Sequence, residues 1–367
     1  MRYHSLLPGA LALSTFWLAA CGNDSPTEPT QAAEPTPGGP ELALASNSWI
    51  TRANMPSNRT ELATATVTNA AGQSILYAIG GLSPTRVPVA KVTAYNVATN
   101  SWTFRRPLPV PLAMSNGAGV INGKVYISGG YSDYGGDFPS KALYMYDPAA
   151  NTWTRKQDMP ETSQYYDRLW VGTQDVTGVI NGKLYVITPC SIASEPWGYY
   201  EGCGGHPAPW FFRYNPVTDR WTTLPSPFDD PSNPPASPYT GGVIDGKFYV
   251  MAGSFYNNGG RFAVYDPASN QWTTKTPLAL ARPGAATAVQ DAKLFVMGGR
   301  RYNAARDAVD LLDITIVYDP ATDAWTRRAA LPSPRSGIAA SRVWLNGKPR
   351  IEVVGGISPG NNLQYIP

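Results

Sequence analysis

Six tryptophans, Trp49, Trp102, Trp153, Trp221, Trp272 and Trp325, divide this 367-residue chain into intervals of 53, 51, 68, 51 and 53 residues. Most follow near-copies of one phrase. Tyr146-Asp147-Pro148 leads through Asn151 to Trp153, Tyr214-Asn215-Pro216 through Asp219 to Trp221, Tyr265-Asp266-Pro267 through Asn270 to Trp272, and Tyr318-Asp319-Pro320 through Asp323 to Trp325. A period near 50 residues is the signature of an array of small β units, which lets one closed domain absorb a length that would otherwise suggest two or three. Composition agrees: Gly 35, Pro 35 and only 15% charged residues suit an all-β chain with many turns, and Tyr 21 and Trp 11 suit pleated surfaces. The net charge of +3 is too small for a nucleic-acid footprint, and no nucleic-acid partner is expected.

Within each unit the order is fixed. A strand of small residues meets a two-residue hairpin, most often Asn-Gly or Asp-Gly, at Asn122-Gly123, Asn181-Gly182, Asp245-Gly246 and Asn346-Gly347. These dipeptides tolerate the positive φ values of a type I′ turn. A second, alternating strand follows and ends in Gly-Gly, as in Lys124-Val125-Tyr126-Ile127-Ser128-Gly129-Gly130 and Ile351-Glu352-Val353-Val354-Gly355-Gly356. Unit four carries Ala252-Gly253 at that point and unit three Thr188-Pro189. A variable loop then leads to the strand that ends in the Tyr-Asp-Pro phrase.

Gly-Gly, Tyr-Asp-Pro and Trp at fixed offsets resemble the kelch repeat from about residue 42 to the end. The resemblance implies a six-bladed β-propeller of four antiparallel strands per blade around a central channel. The final unit has no Trp, and Trp49 has no preceding strands. One blade is therefore expected to be split, with Asn47-Ser48-Trp49 as its outer strand and residues 335–367 as its inner three, so that the ring is closed by its own N-terminal segment and has no exposed sheet edges. The six tryptophans are read as structural core.

The first twenty residues read as a signal peptide, with Arg2 ahead of an apolar run from Leu6 to Ala20. The ending Leu18-Ala19-Ala20-Cys21 resembles a lipobox, which makes Cys21 the expected lipidation site and the sole membrane contact; an ordinary signal peptide is the alternative. Gly22 after the cysteine favours an outer-membrane address over inner-membrane retention in a cell with two membranes. Residues 21–41, rich in Pro and Thr, read as a disordered tether. In an exported chain Cys190 and Cys203 are expected to form a disulfide. Zinc is the alternative, but only His206 lies nearby to help, so no metal or other cofactor is expected.

Function is expected in the loops and the channel mouth. The turns before the inner strands bring Arg59, Arg282 and Arg335. The loops after the Gly-Gly strands bring Tyr256, Arg301 and Tyr302. The longest interval holds Tyr165-Tyr166-Asp167-Arg168-Leu169-Trp170 and a loop from Cys190 to Trp210, carrying Glu195, Trp197, Tyr199, Tyr200, Glu201 and His206. Exposed aromatics on a braced loop suit recognition of a glycan or a protein; an insertion that merely covers the channel is the alternative.

Two enzymes with kelch propellers frame the other possibility. A galactose oxidase copper site needs two histidines, and the mature chain holds only His206, because His4 leaves with the signal peptide. Sialate mutarotase (N-acetylneuraminate epimerase) is similar in size, blade count and export, and a chemistry like its own would use a carboxylate, with Glu195 and Glu201 as candidates, beside Arg59, Arg282 and Arg335. The bland alternative for those arginines is hydrogen bonding that holds blades together. The favoured reading is a non-catalytic binding module; the other is a sugar-modifying enzyme.

Overall fold

The computed structural model describes residues 46–113, 118–132, 140–160, 175–188, 194–195, 198–199, 210–228, 239–253, 260–279, 282–303, 305–357 and 362–367. These fall within one unit, Leu44–Pro367. Every regular element among them is a strand. The strands form six four-stranded antiparallel sheets arranged as the blades of a β-propeller. Blade one is Ala63–Thr68, Ser74–Ile79, Val92–Asn96 and Ser101–Arg105. Blade two is Ala118–Ile121, Lys124–Ser128, Leu143–Asp147 and Thr152–Lys156. Blade three is Val176–Ile180, Lys183–Thr188, Trp210–Asn215 and Arg220–Leu224. Blade four is Tyr239–Ile244, Lys247–Gly253, Gly260–Asp266 and Gln271–Thr274. Blade five is Ala285–Gln290, Lys293–Gly298, Thr315–Asp319 and Ala324–Arg328. Blade six takes Ile338–Leu345, Lys348–Gly355 and Asn362–Ile366 from the end of the chain and Ser48–Arg52 from its beginning, with Trp49 opposite Tyr365. The split blade expected from the tryptophan spacing is therefore present, and the ring closes without a covalent link.

Local sequence explains each blade. The hairpin dipeptides have both residues at positive φ, 49° and 72° for Asn122-Gly123 and 48° and 72° for Asp245-Gly246, so the turn twist matches the strand twist. In the Tyr-Asp-Pro turn the Asp carboxylate accepts the backbone N–H two residues on, from Ala149 to Asp147 at 3.1 Å and from Ala268 to Asp266 at 2.9 Å. Proline presets the next φ, and Asn151, Asp219, Asn270 and Asp323 close the turn at φ 49–55°, a conformation that Asn and Asp tolerate. Lysines after the hairpins reach the same aspartates, as Lys247 reaches Asp266 at 2.7 Å, but these pairs are exposed and contribute little.

First strands of neighbouring blades lie side by side and line a central cavity of about 310 Å³. Each chain runs down the channel wall, back up to the Gly-Gly position, down again to Tyr-Asp-Pro, and up along the Trp strand. Two faces result. The Gly-Gly loops and the blade-to-blade connections share one face; the short hairpins and Tyr-Asp-Pro turns share the other.

Blade five breaks the hairpin rule, with Asp291-Ala292 at φ 51° and 53°. A left-handed Ala is strained by about 1–2 kcal/mol, partly offset in a Gly substitute by greater unfolded-chain entropy. Ala292→Gly is expected to stabilise the protein by about 0.5–1 kcal/mol, seen as a rise of about 1–3 °C in Tm by calorimetry. A fall in Tm would contradict the turn assignment.

Candidate functional site

The blades meet along six seams, and the repeated residues are those that stitch them. Each Trp Nε1 donates to a backbone carbonyl of the preceding blade's outer segment at 2.8–3.0 Å, for example Trp102 to Ala53, Trp153 to Arg106 and Trp49 to Ala329. The N–H of the same backbone residue returns a bond of 2.8–3.1 Å to the Asn or Asp Oδ1 two positions before the Trp, as Ala53 does to Asn100 and Gln157 to Asp219. That oxygen also accepts the hydroxyl of the blade's own Tyr at 2.5–2.8 Å. The residue facing Trp272 is Pro225, which keeps the carbonyl bond at 2.8 Å but has no N–H to return. The tryptophan rings stay partly exposed at the rim and rest on the tyrosines Tyr95, Tyr146, Tyr214, Tyr265, Tyr318 and Tyr365, which are the fully buried member of each pair.

On the Gly-Gly face the second glycine donates its N–H to the chain entering the next blade. Gly81 donates to Leu112 at 2.7 Å, Gly299 to Arg335 at 2.9 Å and Gly356 to Arg59 at 3.0 Å. A Cβ on Gly81 would stand 2.6 Å from the Thr60 carbonyl, at φ 96°, so glycine is required there.

The three sequence-predicted arginines occupy one repeated position in these connections. Arg59 is 1% exposed, and its guanidinium donates to the carbonyls of Gly80 and Lys91, both at 2.8 Å, and to Thr93 Oγ1 at 2.7 Å. Arg282 is likewise buried and donates to the Ile314 carbonyl at 3.0 Å; Arg335 is buried and donates to Ser333 Oγ at 2.8 Å. Burial pulls Arg59 and Arg282 down to about 10. All three ends of this arrangement are those of a staple within the propeller wall.

Arg301 and Tyr302 lie on a hairpin, Arg300–Asn303 paired with Ala308–Leu311, that projects from the Gly-Gly face of blade five. Tyr302 donates to Asp307 at 2.6 Å, while Asp310 holds Asn303 at 2.9 Å, Arg301 at 3.4 Å and Arg306. Loops of three successive blades expose apolar side chains on this face: Val309 in blade five, Ile357 in blade six and Val87 in blade one. In blade three the backbones of Ser194–Glu195 and Gly198–Tyr199 pair as a small hairpin. The third strand there begins at Trp210, which stacks on Phe212 at 6.1 Å. Trp197, Tyr200, Glu201, His206, Tyr256, Cys21, Cys190, Cys203 and the stretch 165–170 lie outside the described residues, as do the side chains of Glu195 and Tyr199.

Two buried carboxyls escaped the sequence reading. At five seams an aromatic of one blade, Tyr77, Tyr126, Tyr185, Tyr249 or Phe295, meets a tyrosine of the next with ring centroids 5.5–6.1 Å apart. At the seam between blades six and one the same position is Glu352, fully buried and facing Tyr95. Its carboxylate accepts from Gln364 Nε2 at 2.5 Å, and Gln364 and Asn362 are also fully buried. Desolvation raises Glu352 to about 7, against smaller opposing effects of Gln364, Arg52 and Asn362. The second carboxyl, Asp175, is 4% exposed, lines the central cavity and is raised to about 8 by burial. Aligning the six second strands exposes Glu352 as the odd residue of its column. Asp175 sits beside a first strand of weak pattern, and sequence carries no comparable signal for it.

These features define a six-bladed β-propeller whose seams are built by its repeats. A Kelch motif model matches residues 115–160. The chain is similar to Kelch-like protein terF of Aspergillus terreus, with 30% identity over 67% of this chain and 50% of that protein, and to Kelch-like protein 36 of Bos taurus, with 25% identity over 83% of this chain and 53% of that protein. It thus spans about half the length of these curated relatives. The solved structure of YjhT superposes with a TM-score of 0.60 at 14% identity, covering 85% of this chain and 94% of that one. The protein is a kelch-repeat β-propeller.

A carboxyl raised on folding keeps a proton that the unfolded chain has lost, so its contribution to stability is full below the unfolded value and is lost as pH rises through the folded value. For Glu352 that window runs from 4.5 to about 7, and Asp175 acts with the same sign from 3.8 to about 8. Glu352→Gln is expected to flatten the decline in stability between pH 5 and 8 by up to about 3 kcal/mol, measured by urea unfolding at each pH. An unchanged pH slope would show that Glu352 does not titrate in this window.

Proposed function

We propose that this chain is an exported, lipid-anchored, non-catalytic interaction module that binds a protein partner through the Gly-Gly face of its propeller. The observation that carries the reading is the asymmetry of the two faces. One is made of hairpin loops of two to five residues and short turns, with Val217 and Trp344 exposed singly on separate blades. The other bears the charged hairpin Arg300–Leu311 and the exposed apolar residues Val309, Ile357 and Val87 on three neighbouring blades. Apolar contact rimmed by Arg and Tyr is the composition of a protein-binding surface. Similarity to Kelch-like proteins supports the same reading. Export and anchoring rest on the Leu18-Ala19-Ala20-Cys21 sequence. A sugar-modifying activity has less support, because the arginines it would use direct donors to atoms of the propeller itself: Arg59 and Arg282 to backbone carbonyls, Arg335 to Ser333.

The test compares protein capture from envelope extracts by the wild type, by the triple variant Val87→Asp, Ile357→Asp, Val309→Asp, and by Val217→Asp, an exposed position on the opposite face. A partner retained by the wild type and Val217→Asp but reduced about tenfold or more by the triple variant is expected. Loss with Val217→Asp alone, or glycan binding on an array without any retained protein, would reject the reading. Metabolic labelling with a fatty acid that survives Cys21→Ala would reject the anchor.

A further inference from the structure

We propose that the niche between blades two and three, where the Asp175 carboxyl meets the central channel, is a binding site for the ammonium group of a small molecule. The starting point is a repeated packing position. Where the first strand of blades one and six begins, Leu62 and Ile338 lie over a glycine of the preceding blade, with Leu62 Cδ2 2.5 Å from where a Cβ of Gly355 would stand and Ile338 Cδ1 3.0 Å from that of Gly298. Asp175 holds this position in blade three, its Oδ2 1.7 Å from the corresponding point on Gly129. An apolar plug has become a carboxyl.

Its surroundings have changed with it. Ser128, next to Gly129, stands where blade one has Ile79; it is fully buried, and its Oγ has no hydrogen-bond partner among the described residues. Thr177, two residues beyond Asp175 on the same side of the strand, turns toward blade two, with its methyl carbon 3.6 Å from the Cβ position of Gly119, and its buried Oγ1 also has no partner among the described residues. Among the described residues no cation faces Asp175, and burial alone accounts for its raised pKa. Burying a carboxyl at this position is costly, and an apolar residue would pack the seam as it does in blades one and six.

The arrangement does suit an outside cation. Asp175 and Thr177 line the cavity and offer a carboxylate and a hydroxyl oxygen as acceptors, with Ser128 beside them next to Gly129, and an ammonium group carries three N–H donors. The cavity of about 310 Å³ is walled by small residues such as Gly119, Gly178 and Gly241, which leaves room for a molecule of about monosaccharide size. A bound ammonium group would also return Asp175 to its ionised form.

Calorimetric titration of the full chain with ethanolamine and glucosamine, and with ethylene glycol and glucose as their uncharged counterparts, tests the site. Both amines are expected to bind saturably and about tenfold or more tightly than their counterparts, an affinity ratio worth about 1.4 kcal/mol. Asp175→Asn, which keeps the shape and removes the charge, is expected to lose that preference. Asp175→Leu, the residue of blade one, is expected to lose binding and to raise Tm, so it decides the matter if the Asn variant does not fold. Absence of saturable amine binding by the wild type up to about 10 mM overturns the proposal. So does equal binding of charged and uncharged probes by the wild type, an amine preference retained in Asp175→Asn, or binding retained in Asp175→Leu.

Discussion

Each blade of this ring is tied to the one before it through the backbone of a single residue. Its carbonyl takes the tryptophan Nε1, and its N–H reaches the Asn or Asp that ends the neighbouring turn. That oxygen in turn fixes the buried tyrosine hydroxyl, so turn, ring pair and seam are determined together. Separating any of the three would leave polar groups without partners at a partly buried edge, which is more costly than the bonds are favourable. This coupling accounts for the persistence of a whole phrase, rather than isolated residues, from unit to unit. Pro225 is the informative exception, since it shows the carbonyl bond forming on its own where the N–H is chemically absent.

Inside that outer stitching, the seams are not equivalent. Five carry an aromatic ring against a tyrosine, while the seam between blades six and one carries a carboxyl with two amides. The seam between blades two and three has an acid and hydroxyls at its channel end. A scaffold with six copies of one solution can vary one or two seams because the remaining contacts still close the ring. Those departures are the places where the wall of the propeller acquires individual chemistry.

Most of the fold was legible in the sequence because each structural device has a local residue signature. Asn122-Gly123 announces its own turn, Tyr146-Asp147-Pro148 its capped bend, and the lone Trp49 at one end and the missing Trp at the other announce the split blade. The candidate site was less legible. Arg59, Arg282 and Arg335 look like ligand-binding groups when read as charges near a channel mouth, yet their donors meet carbonyls and a serine hydroxyl that only the folded connections bring near. Asp175 was silent because its meaning depends on Gly129 and Ser128, nearly fifty residues away and in another blade. The apolar row of Val309, Ile357 and Val87 likewise spans the joined ends of the chain.

The split blade also sets an order of events during synthesis. Ser48–Arg52 is the first strand of the ring to emerge, but its partner Asn362–Ile366 is the last strand of the ring to be made. The seam between blades six and one is therefore open for longer than any other while the chain is produced from its N-terminus. The blade-six side of that seam is where Glu352, Gln364 and Asn362 replace the aromatic and aliphatic residues found elsewhere. Those polar groups arrive only with the last strands of the ring, so the side that waits for them through synthesis is the blade-one face, with Leu76, Ala78 and Tyr95.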